Sequence, residues 1–155
     1  SAMTMTGNQD SEDASYLELA EFIATWGEPD HINHDLAELF TRVVFNVATA
    51  NRDDHLRNHG FMRTPAGWRL APAFDMNPSF KKGEHALALD LYNRQPDISV
   101  VLATAGYYRL DLNRAEKIIS DTGKVIAGWK TRARKLGLSA HAVAEAEHLF
   151  LSLNH

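Results

Sequence analysis

From Leu36 to Ala50 apolar side chains recur at helical spacing, and the stretch that follows, Asn51 to Asn58, is polar at every position but Leu56. Leu36, Leu39, Phe40, Val43, Val44, Val47 and Ala50 stand at i, i+3, i+4 and i+7, so one broad apolar face runs the length of the segment. The spacing predicts a buried helix over Asp35–Ala50, with Asn33 or Asp35 as its cap and Glu38 closing a capping box. A helix buried along one face is held by its neighbours, so its C-terminal end delivers Asn-Arg-Asp-Asp-His-Leu-Arg-Asn to a fixed place. A solvated loop after a core helix is the plain reading of such a cluster. A catalytic loop is the sharper one, because reacting groups misplaced by about 1 Å lose much of their rate.

The remaining chain reads as mainly helical. Leu17, Ala20, Phe22, Ile23 and Trp26 predict a first helix from Tyr16, stopped by Gly27 and Pro29. Gly60–Ala71 changes period: Phe61 precedes and Trp68 and Leu70 follow Thr64-Pro65-Ala66-Gly67, the pattern of a small β-hairpin. Such a hairpin returns the chain toward Asn51–Asn58. His85–Leu91 fits a short strand or a helix equally. Asp97–Tyr107 and Asn113–Leu136 read as helices, the second weakened at Gly123 and Gly128 by roughly 1 kcal/mol each relative to Ala and ended by Gly137. Ser139 caps a last helix through Val143, Ala146, Phe150 and Leu153.

A chain of 155 residues, 45% of them hydrophobic, suffices for one domain with an ordinary core. No apolar run approaches the roughly 18 residues that span a bilayer. A cytoplasmic protein without membrane contact is expected. The absence of cysteine excludes disulfides and thiolate metal sites. A net charge of -4 with scattered Lys and Arg argues against direct nucleic-acid binding, which needs a basic face. Ser1–Ser15 is small, polar and acidic and opens on Ser-Ala-Met, so it reads as a tag remnant with a flexible lead-in rather than as part of the fold.

Asp53 followed by Asn58 at plus five, with Arg52 before the Asp, resembles the protein-kinase catalytic loop, where Asp handles the substrate hydroxyl and Asn holds magnesium. Downstream, Asp75 follows Phe74 as in the Asp-Phe-Gly element that delivers a second metal ligand, although Met76 and Asn77 replace Phe and Gly. Asn51–Asn58, the His-Gly-Phe of His59–Phe61 and Gly67–Pro78 together resemble the C-terminal part of the HipA family of serine/threonine kinases, the toxins of type II toxin–antitoxin pairs. The match is dense from Phe45 to Pro78 and rests on order and length elsewhere.

The resemblance implies a protein-kinase-like C-terminal lobe over residues 16–155, a helical bundle whose one hairpin carries the catalytic and metal-binding loops. It implies Asp53 as the catalytic residue, Asn58 and Asp75 as magnesium ligands, and His55, Phe74 and Asp75 as contacts of ATP. His55 serves equally well as a histidine that hydrogen-bonds the loop backbone. Asp54 is expected to be exposed and Arg57 to form an ion pair, while His31, His34, His141 and His148 read as surface or packing residues. A protein Ser/Thr substrate and a small DNA-binding, HipB-like antitoxin are the implied partners. No Gly-rich phosphate loop or Val-Ala-Ile-Lys-like strand occurs in the sequence, so the nucleotide-clamping lobe of such a kinase is expected upstream, and this lobe alone is expected to be inactive. One rival is a metal-dependent hydrolase using Asp53, Asp54, His55 and His59, the two histidines standing four apart as in helical zinc motifs. The other is a non-catalytic kinase-like interaction module.

Overall fold

The structure is a computed structural model that describes residues 1–7, 14–79 and 81–153. Its organising element is the helix expected from the apolar stripe, which runs over Ile32–Ala48 (α3). Leu36, Leu39, Phe40, Val43 and Val44 are wholly buried along it. Burial of each such side chain contributes roughly 1.5–3 kcal/mol, which is what holds the helix in place. Across it lies α2 (Tyr16–Trp26), whose Leu19, Ala20 and Ile23 share the same core.

The start of α3 differs from expectation. Asp35 does not cap the helix; it lies in the first turn, 3% exposed, and accepts from Arg69 Nε at 2.9 Å, Arg69 Nη2 at 3.0 Å and the Leu70 backbone at 2.9 Å. Glu38 does not close a capping box either, but pairs with Arg42 at 3.0 Å one turn on.

The hairpin forms where the sequence placed it. Strands β1 (Phe61–Thr64) and β2 (Gly67–Leu70) pair antiparallel, Phe61 opposite Leu70 and Thr64 opposite Gly67. Phe22 of α2 covers it, with its ring 4.5 Å from that of Phe61 and 6.3 Å from that of Trp68. Gly67 is required by this packing: a Cβ there would fall 2.7 Å from the backbone nitrogen of Glu28.

The N-terminal residues correct the sequence reading. Ala2–Thr6 form a short helix (α1), with Ala2 fully buried and its amide donating to the His59 carbonyl at 2.9 Å. Ser15 pairs with Ala88 in a parallel bridge, and its amide donates to Glu18 Oε1 at 3.1 Å in a capping box at the start of α2. A helix this short has no period to read and owes its stability to tertiary contact. The part of the expected flexible lead-in that spans residues 8–13 lies outside the described residues.

After the hairpin the described residues up to Asp97 are irregular, so His85–Leu91 is neither strand nor helix apart from the Ala88 bridge. Asp97 caps α4 (Ile98–Ala103) through the Ser99 amide, and a 3₁₀ turn at Ala105–Tyr108 sets the Tyr108 ring 5.2 Å from that of Phe40. The single helix expected over 113–136 is two, α5 (Leu112–Ala127) and α6 (Trp129–Lys135), broken at Gly128, one of the two suspect glycines. Ser139 caps α7 (Ala140–Glu147) as expected, but Phe150 and Leu153 lie beyond its end, where Leu151 donates to the Ala48 carbonyl at 2.8 Å. The mainly helical lobe with one small hairpin is the architecture expected from the sequence.

Candidate functional site

The polar stretch begins where α3 stops. Ala50 takes a left-handed conformation (φ 55), costly for a residue with a Cβ, and turns the chain out of the helix. Asn51 then folds back, its amide donating to the Asn46 carbonyl at 2.9 Å and its side chain to Asn46 Oδ1 at 3.0 Å. The two consecutive acids part company here. Asp53 is exposed, whereas Asp54, expected on the surface, is buried at 3% exposure. The Asp54 carboxylate accepts from the Tyr16 hydroxyl at 2.7 Å and from Asn46 Nδ2 at 2.8 Å, and lies 2.8 Å from His59 Nε2. Burial and the neighbouring Asp54 charge push the Tyr16 hydroxyl well above its ordinary pKa, so it remains a donor. Between Asp54 and His59 the chain makes a 3₁₀ turn at Leu56–Asn58, plugged into the core by the fully buried Leu56. Asn58 is half-buried on that turn.

Asp53 faces the other way. Its Oδ1 is contacted by the Lys82 ammonium and lies 3.0 Å from His55 Nε2. The Lys82 hydrogen bond lowers the Asp53 pKa, with the charges of Lys82 and His55 assisting. Lys82 is itself held, since Arg52 donates to its carbonyl at 2.6 Å and the Arg52 carbonyl receives the Ala86 amide at 2.9 Å. Behind them His85 is 2% exposed, its ring close to the Asn51 backbone but without a well-formed hydrogen bond among the described residues. Burial, reinforced by the Arg52 charge, lowers its pKa to about 4.

The segment bearing Asp75 returns to this loop at both of its ends. The Ala71 amide donates to Gly60 at 2.9 Å, and the Ser79 amide donates to Ala50 at 2.8 Å. Between these ties Phe74 is half exposed, near Gly60, and Asp75 is exposed in a left-handed conformation (φ 56), its Oδ1 accepting from Asn77 at 2.9 Å. Left-handed residues with side chains thus stand just before the Asn51–Asn58 stretch and in the middle of the segment that bears Asp75; the third, Arg109, lies outside both.

Asp53, His55 and Asn58 therefore share one loop, and the segment that bears Phe74 and Asp75 is tied at its two ends to the residues flanking that loop, Gly60 and Ala50. The donors suit a hard cation: Asn58 and Asp75 offer amide and carboxylate oxygens, and magnesium asks for only one or two protein carboxylates. They do not suit the hydrolase reading. The Asp53–His55 stretch is not helical, His55 is paired with exposed Asp53 and His59 with buried Asp54. Among the described residues no three His, Asp or Glu side chains gather as a metal centre. Arg57 is exposed and, among the described residues, lacks the expected ion pair.

Sequence reasoning missed Asp54, Asn46 and Lys82. Asn46 carried a signal, being a carboxamide enclosed by the apolar positions of α3; Lys82, 29 residues from its partner, carried none.

The profile of the HipA-like C-terminal domain family matches residues 1–129. No curated protein matches the chain. Among solved structures, it is similar to a chain in the complex of the Shewanella oneidensis MR-1 toxin–antitoxin system HipA, HipB and its operator DNA, with a TM-score of 0.70 at 17% identity. That similarity covers 98% of this chain and 41% of the other, so this chain spans less than half the length of the one it resembles. At that identity the likeness is one of fold.

Proposed function

Because the chain belongs to the HipA-like C-terminal domain family, we propose that it is the catalytic-loop and magnesium-binding lobe of a protein serine/threonine kinase. The observation that carries the reading is the return of the Asp75 segment to the Asp53 loop, made by the Ser79–Ala50 hydrogen bond at 2.8 Å. It brings separate parts of the sequence to one place, as phosphoryl transfer demands.

In the reaction, a serine or threonine hydroxyl oxygen attacks the γ-phosphorus of ATP, the bond from that phosphorus to the bridging oxygen breaks, and ADP leaves. The hydroxyl proton passes to Asp53, which orients the nucleophile. Lys82 lies against that carboxyl and holds its pKa below the ordinary carboxylate value. Asn58 and Asp75 would hold magnesium, which neutralises phosphate charge. His55 and Phe74 would contact the nucleotide.

Neither a Gly-rich phosphate loop nor a lysine-bearing strand of the kinase type occurs in the 155 residues. The proposal therefore assigns the backbone cradle for ATP to an upstream lobe. A small antitoxin of the HipB kind is the proposed regulatory partner, as the similar structure holds HipB and operator DNA beside HipA. A cytoplasmic setting is part of the proposal; among the described residues no helix is long and apolar enough to cross a membrane. Transfer of labelled phosphate from ATP to protein serine or threonine, by a longer protein carrying both lobes, tests the proposal. Absence of transfer under conditions where that protein is folded and magnesium is saturating would reject it.

A further inference from the structure

Asp54 is a buried carboxylate that the proposed chemistry does not use, set between two residues that it does. Its Oδ2 gathers the Tyr16 hydroxyl from α2 at 2.7 Å, Asn46 Nδ2 from α3 at 2.8 Å and His59 Nε2 from the far end of its own loop at 2.8 Å. The donors are themselves fixed. Asn46 Nδ2 also donates to the Tyr16 hydroxyl at 3.2 Å, Asn46 Oδ1 receives the Asn51 side chain at 3.0 Å, and the His59 ring stands edge-on to Tyr16 at 6.0 Å. The His59 carbonyl is tied to α1 through the Ala2 amide at 2.9 Å.

We propose that Asp54 is a positioning residue: its contact with His59 clasps residues 54–59 into a closed loop against α2 and α3, which fixes the direction in which Asp53, His55 and Asn58 are presented. The inference rests on the kinase reading of that loop. Its physical basis is the way a fixed side chain constrains its neighbours where the chain leaves the turn at Asp53 and becomes extended at His55. A side chain locked into the core at position 54 turns those of Asp53 and His55 outward, and His59 locked at the other end leaves the Leu56–Asn58 turn no freedom to unwind. Charge-assisted hydrogen bonds are about twice as strong as neutral ones and more directional, so one carboxylate receiving three groups is well suited to the task. His59 enters the network through Nε2 alone, since its Nδ1 is buried with no hydrogen-bond partner among the described residues, which leaves the contact with Asp54 as the hydrogen bond that holds the ring.

The inference predicts a local effect. In the 155-residue chain, Asp54→Ala should raise amide hydrogen exchange across residues 55–59 by at least about tenfold while Val43–Val47 of α3 keep their protection, with Asp54→Asn much milder because its carboxamide oxygen still accepts. His59→Gln, which removes the clasp from the other side, should reproduce the loop effect and serves if Asp54→Ala does not fold. In the longer protein, Asp54→Ala should lower kcat by about tenfold to a hundredfold with little change in the KM for ATP, and Asp54→Asn should recover most of it. Unchanged loop exchange in both Asp54→Ala and His59→Gln, or exchange raised equally in loop and core, overturns the inference. So does kcat untouched by a loosened loop. A longer protein that transfers no phosphate even with Asp54 present rejects the kinase reading and the inference with it, whereas the exchange arm rejects the clasp alone.

Discussion

The ammonium of Lys82 lies against the carboxylate of Asp53, 29 residues earlier, on the same oxygen that faces His55. That contact lowers the Asp53 pKa, so Lys82→Ala should move it back up toward the ordinary carboxylate value of 3.8. The depressed value means that any stability from the pair is present above pH 3.8 and lost as the pH falls through the folded-state value. Both partners are well exposed, so the effect on global stability should be small. Carboxyl-detected NMR titration of Asp53 in the parent chain and in Lys82→Ala measures the shift directly. Equal titration curves would remove Lys82 from the site.

The ion pair of Asp35 with Arg69 should matter far more to folding. Burial raises the Asp35 pKa, but the Arg69 and Leu70 hydrogen bonds outweigh it and leave the value lowered. Asp35→Ala strands the Leu70 amide and leaves Arg69 only its longer contact with Glu28 at 3.7 Å, and should cost roughly 2–4 kcal/mol, less than a fully buried broken pair because Arg69 is partly exposed. The contribution is present above pH 3.8 and lost as the pH falls through the lower folded-state value. Urea melts of Asp35→Ala and the parent at pH 7 provide the comparison.

His85 gives stability a second, higher pH dependence. Its folded pKa of about 4 lies below the ordinary 6.5, so the unfolded chain binds the proton more readily. The loss begins as the pH falls below 6.5, grows as the pH approaches 4, and amounts at its limit to roughly 3 kcal/mol. His85→Phe carries no titrating group and leaves no unpartnered ring nitrogen. Its stability should vary less between pH 7.5 and 4.5 than that of the parent, and denaturant melts at the two pH values test it.

How much of this was legible depends on the range of the interaction concerned. The face of α3, the Ser139 cap and the hairpin around Gly67 follow from neighbours a few residues apart, so periodicity and turn chemistry revealed them. Asp35 read as a cap because its partner Arg69 lies 34 residues away, and a local pattern could not show that an acid in a first helical turn is buried by a distant strand. Asp54 read as exposed for the same reason: its ligands Tyr16 and Asn46 come from two other elements. The N-terminal residues were set aside because Ala2–Thr6 is too short to show a period, although Ala2 is wholly buried. The roles proposed for Asp53, His55, Asn58 and Asp75 come from their spacing and from the resemblance it carries. The tie that returns Asp75 to the loop is a backbone hydrogen bond from Ser79 to Ala50, which no side-chain pattern encodes.

Phosphate transfer by a longer protein containing this lobe and the proposed upstream lobe tests the central claim most directly, with Asp53→Asn and Asp75→Asn compared to the parent and thermal melts as the folding control. Both carboxylates are exposed, so neither substitution should unfold the domain. The account predicts transfer of label from ATP to protein Ser or Thr by the parent, loss of at least about a hundredfold in each variant, and no transfer by the 155-residue chain alone. Full transfer by a folded Asp53→Asn variant, or robust transfer by the 155-residue chain itself, would contradict it.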